Sequence, residues 1–149
     1  MSRATLQMRA FAMRLIKLEA KVIKSRQSQV ELTILVVEKL RPHLSNIMGS
    51  AGFRALLSRA LALAKKEIPG LHTMQVNADG TLDGLNKLET HDSPDDLFEG
   101  SIVLLAHMLG LLVAFIGESL TLQMMGGVWP NSSFTDLELS KKDKYEKTN

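Results

Sequence analysis

The sequence predicts an all-α protein, a bundle of four to five helices around a long apolar central helix. Three observations lead there. Apolar residues recur at spacings of three and four over much of the chain, the period of one helix face. Leu, Ala, Met and Lys are common and aromatic residues make up only 5%, a composition that favours helix over strand. Residues 101–125, SIVLLAHMLGLLVAFIGESLTLQMM, are apolar almost throughout, so other helices must cover them. At 149 residues the chain suits one domain with a proper core. The expected division is a helical bundle over residues 1–130 and a flexible polar tail over 131–149.

The first helix is expected over residues 3–26. Met8, Phe11, Leu15, Leu18 and Val22 form its apolar stripe, and Arg9, Arg14, Lys17, Lys21 and Lys24 occupy other faces. The run fits a heptad seam but lasts barely two heptads, so packing in a bundle is the better reading. After the polar SRQSQ segment, Val30, Ile34, Val37 and either Leu40 or Arg41 continue a helical pattern. Pro42 is expected to end or kink that helix and to start a short one closed by Gly49. Phe53, Leu56, Leu57, Ala60, Leu61 and Ala64 mark a further helix over 51–67. Lys65 and Lys66 suit its negative end, and Pro69-Gly70 stop it.

In HTMQVNADGTLDGL the dipeptide Asp79-Gly80 sits between Met74/Val76 and Leu82, which fits a small β-hairpin or a looped excursion near 72–86. HDSPDDLFEG then reads as a helix start. Ser93 is placed as cap, Pro94 takes the first helical position, and Asp95, Asp96 and Glu99 favour the positive end of the dipole. The helix so begun is expected to run to Met125, about 45–50 Å if straight. Gly100, Gly110 and Gly117 are points for a kink or a close helix approach, and Gly126-Gly127 are read as its C-cap. Leu105, Leu109, Leu112 and Phe115 are its expected core residues.

Eighteen residues separate Glu99 from Glu118, slightly short of a membrane span, and the flanks are acidic. A central helix of a soluble bundle is the preferred reading of 101–125, with membrane insertion as the alternative. Residues 110–120, GLLVAFIGESL, resemble the central hairpin of Bcl-2-type proteins. The Asn-Trp-Gly-Arg signature of that family is missing, and nothing of its activity is transferred to this chain.

Cysteine is absent, which excludes disulfides, thiolate zinc sites and cysteine nucleophiles. MSRATLQMRAF leads into an amphipathic repeat instead of an apolar leader, and the expected location is cytoplasmic. The patterns GxSxG and HExxH, the phosphate-cradling glycine loop and the dinucleotide fingerprint do not occur, so no enzyme activity and no cofactor are expected. Aligning NADGTLD with a calcium loop puts Gln75 and Asn86 at ligand positions that require acids, which rejects the match. His91, Asp92, Asp95, Asp96 and Glu99 are read as helix-capping acids with a neighbouring histidine, not as a metal cluster.

His107 and Glu118 are eleven residues apart, about 16 Å along one face, so they cannot touch within one straight helix. A buried Glu118 would need a cation, for which Arg54 and Arg59 are candidates, or a second copy of the chain. The basic first helix, with Arg9, Arg14, Lys17 and Lys21, could meet phosphates or an acidic partner. No DNA-binding motif or stacking platform accompanies it, so nucleic acid is disfavoured.

The net charge of +2 conceals a division: residues 3–68 are net +9 and residues 77–99 net −6. Apolar helix surface together with divided charge favours contacts with another copy or another protein. The expected function is therefore a non-enzymatic interaction or regulatory protein, either a homo-oligomer or a subunit of a larger assembly. The methionines would give its contact faces adaptable packing.

Overall fold

The computed structural model describes residues 5–23, 29–83 and 94–130. They form an all-α bundle of four helices with one small hairpin: α1 (Leu6–Ile23), α2 (Gln29–Glu67), a 3-10 turn (Pro69–Thr73), β1 (Gln75–Val76), β2 (Leu82–Asp83), α3 (Pro94–Ile116) and α4 (Glu118–Val128). The first four residues, residues 24–28, His91, Asp92, the Ser93 cap, the side chains of Asp95 and Asp96, and the tail after 130 lie outside the described residues.

The apolar stripes converge on α3, which packs against α1, α2 and α4. Phe11, Leu15 and Ile16 enter from α1, Val36, Leu40, Leu44, Phe53, Leu57 and Leu61 from α2, and Leu122 and Met125 from α4. Leu105, Leu109 and Leu112 are fully buried, as their spacing predicts. Each such leucine contributes about 1.5–3 kcal/mol by leaving water. Among the described residues two helices are long and apolar enough to cross a membrane, Glu31–Glu67 and Glu99–Ile116; the second has mean hydropathy 2.0 and is 61% buried within the structure.

Four expectations are corrected. Pro42 does not end its helix: it lies inside α2 on the exposed side. Its missing N–H frees one carbonyl, that of Glu38, while the buried Val36, Val37, Leu40 and Leu44 hold both flanks to the core. The break in α2 is at Gly49, where φ is 79° and ψ 164°. The helix beginning at Pro94 is likewise divided, at Gly117 (φ 91°, ψ 159°). Only glycine adopts that combination comfortably. Gly110 leaves its helix unbroken, whereas Gly100 admits Leu71, whose Cδ2 would stand 2.7 Å from an added Cβ.

The Gly126-Gly127 pair does not cap α4. The helix continues to Val128 because Met125 and Trp129, buried on either side, anchor it, and the Trp129 N–H donates to the Met125 carbonyl at 2.9 Å. Phe115, finally, is no core residue; it is 67% exposed at the end of α3, one turn beyond the buried Leu112.

The excursion is a hairpin. Gln75 pairs with Asp83 and Val76 with Leu82 in antiparallel register. Gly80 supplies a left-handed turn position at φ 85°, and the Asp79 carboxylate accepts from the Thr81 N–H at 3.0 Å and its hydroxyl at 2.6 Å. Arg41 ties this tip to α2 by donating to the carbonyls of Asp79 and Gly80. Its guanidinium also lies 4.7 Å from the Phe53 ring centre and is held by Glu38. Arg54 adds a bond to the Ala78 carbonyl at 2.8 Å.

Candidate functional site

Two places stand apart from the apolar packing: a pair of buried carboxylates, and a groove that the helices leave uncovered. The first carboxylate is Glu67, the last residue of α2, where the helix dipole disfavours an acid. Its side chain is nevertheless only 6% exposed. Arg9 of α1 donates to Oε1 at 2.5 Å, and His107 of α3 meets Oε2 at 2.6 Å. A lone buried carboxylate would be costly, and these two partners remove that cost by occupying both oxygens. The group therefore joins the start of α1, the end of α2 and the middle of α3.

Glu19 is the second, 1% exposed, with Lys39 Nζ at 2.8 Å and the Trp129 indole N–H donating at 3.2 Å. This cluster ties the end of α4 to α1 and α2. Neither acid looks special in the sequence alone. Both share a signal, however: each lies in register with a core stripe, Glu19 after Ala12, Leu15 and Ile16, and Glu67 after Ala60 and Ala64. An acid on an apolar face needs a partner, and that spacing could have found them.

Of the residues singled out from the sequence, His107 and Arg9 are brought together, but through Glu67. Glu118 is half-buried and has no ion-pair partner among the described residues; neither Arg54 nor Arg59 meets it. Arg54 serves the hairpin instead. Lys17 and Lys21 are exposed on α1, and Arg14 is half-buried. With Arg9 committed to Glu67, the basic face of α1 loses one of its proposed phosphate contacts. The His107 nitrogen that meets Glu67 is engaged and its ring is 6% exposed. Among the described residues no three His, Asp or Glu side chains converge as metal ligands.

The second place is an open groove of about 460 Å³ between α2, just beyond its Gly49 break, and the end of α3. Met48, Gly52, Ala55 and Leu56 line one side, Leu111 and Phe115 the other, and Arg59 stands at the edge. Gly52, Ala55, Leu56 and Arg59 fall at i, i+3, i+4 and i+7, the spacing of a helix-packing stripe. The neighbouring stripe of α2, with Phe53, Leu57, Ala60 and Ala64, is buried against the core, so α2 has one covered seam and one uncovered. Comparison with protein-family models, curated proteins and solved structures finds no match.

Proposed function

We propose that the chain is a non-enzymatic interaction protein whose working surface is the groove between α2 and α3. The observation that carries this reading is Phe115. A large aromatic side chain left 67% in water beside an uncovered apolar seam is costly in a monomer and useful only when another surface covers it. The buried carboxylate clusters have the opposite character: their donors are satisfied internally, which suits a scaffold that holds the groove walls in place.

Parallel affinity purification from the native host tests this, with the tagged wild-type chain beside Ala55→Trp, a change that fills the groove from an exposed position. The reading expects at least one stoichiometric partner, or a second copy of the chain, to be lost selectively from the variant. Identical recovery with both chains contradicts it.

A further inference from the structure

Resting on that reading, we propose that the groove takes an amphipathic helix of another protein, with a carboxylate of that helix set against Arg59. The groove's shape points to a helix. Its α2 wall from Gly52 to Arg59 covers eight residues, about 10 Å or two helical turns. Ala55 carries only a methyl group, and Gly52, which has no side chain, is covered by the flexible Met48, so a third helix can approach to the usual interaxial spacing of about 8–10 Å. Met48 and Leu56 adapt to apolar residues at i, i+3/i+4 and i+7, and Phe115 closes over one flank.

Charge points to the carboxylate. Arg59 is exposed and has no ion pair or hydrogen bond among the described residues, unlike Arg9, Arg41 and Arg54. Arg59 is the one charged residue of the groove lining, so an acidic side chain is drawn to that edge and a basic one repelled. In a second copy neither α1 nor α4 offers such a helix. The exposed face of α1 carries Lys17 and Lys21 and, three turns away, Leu6. Glu118 and Leu120 of α4 are two residues apart and point to different faces. Groove-on-groove pairing would leave each Arg59 without a carboxylate partner among the groove residues.

The test is a fluorescence anisotropy titration of the full chain with two designed helical peptides of about three turns. Both carry Leu at i, i+3/i+4 and i+7; one flanks that stripe with Glu, its twin with Lys. The Glu peptide is expected to bind at least about tenfold more tightly than the Lys peptide, the worth of one charge-assisted contact. Arg59→Glu should reverse the order, and Ala55→Trp should abolish both. Both positions are exposed, so circular dichroism should find both variants folded. Equal affinity for the twins, with both still lost in Ala55→Trp, overturns the recognition of acid and leaves the groove as interaction surface. Binding indifferent to Ala55→Trp overturns the groove reading itself. Light scattering that shows a dimer dispersed by Ala55→Trp, with neither peptide bound, overturns the foreign helix in favour of a second copy.

Discussion

His107 and Glu67, forty residues apart in sequence, meet at 2.6 Å between Nε2 and Oε2 with both side chains 6% exposed. The contact joins the middle of α3 to the end of α2, and Arg9 adds α1 from the other oxygen. Removing the carboxylate alone would strand a guanidinium and an imidazole at a site shaped for an anion. Glu67→Ala should therefore destabilise the fold by about 3 kcal/mol, somewhat below the full cost of breaking a buried pair because Arg9 keeps 29% exposure. Urea denaturation measures it. A double-mutant cycle of Glu67→Gln and His107→Ala should give a coupling of about 0.5–3 kcal/mol, and strict additivity would deny the contact.

The core of α3 and its exposed end should respond in opposite ways. Leu109→Ala and Leu112→Ala each empty a fully buried position and should cost about 2–5 kcal/mol. Phe115→Ser, one turn further on, should change stability by no more than about 0.5 kcal/mol. Thermal melts of the three variants separate the core seam from the groove wall.

Gly49 and Gly117 carry the two helix breaks, with open space where a Cβ would go. The obstacle to a side chain is thus the backbone alone. Gly49→Ala and Gly117→Ala should each cost about 1–3 kcal/mol through strain at positive φ. Gly126→Ala, inside α4 and equally unobstructed, should stabilise by about 0.4–1 kcal/mol. If all three variants melt alike, the breaks do not depend on glycine.

The hairpin tip should be sensitive to acid. The Thr81 hydroxyl and N–H, bonded to the Asp79 carboxylate, hold its pKa below the ordinary 3.8, with Arg41 assisting. A depressed carboxylate contributes stability above its unfolded pKa and loses it as the pH falls through the lower folded value. Protection of the Thr81 amide from hydrogen exchange should thus be steady at neutral pH and fall away in the window below 3.8. Asp79→Ala should remove that pH dependence.

Periodicity made much of the fold legible. The stripe of α1, the stop at Pro69-Gly70, the turn at Asp79-Gly80 and the start of α3 at Pro94 all follow from local rules that tertiary packing reinforced. The misreadings occurred where packing overrode a local preference. Pro42 stays helical because buried residues on both sides hold α2 together, and Gly126-Gly127 stay helical because Trp129 is anchored beyond them. Phe115 continues the spacing of Leu105, Leu109 and Leu112, but no described helix covers its side of α3. His107 was visible as an ionisable group in an apolar run. Glu19 and Glu67 were marked only by their register with a core stripe, and their partners come from distant segments. The groove was invisible for the same reason: it belongs to two helices at once.

Photocross-linking in the native host tests most directly that this groove is where the protein meets its partner. p-Benzoylphenylalanine placed at Phe115 keeps an aromatic ring on the groove wall. The same probe at the exposed His72 lies at the other end of α3, beside the Leu71–Gly100 contact. Irradiation should give one discrete heterologous adduct from the Phe115 position, absent from the His72 position and lost when Ala55→Trp is added. The same adducts from both positions, or an adduct at Phe115 that survives Ala55→Trp, would contradict the account.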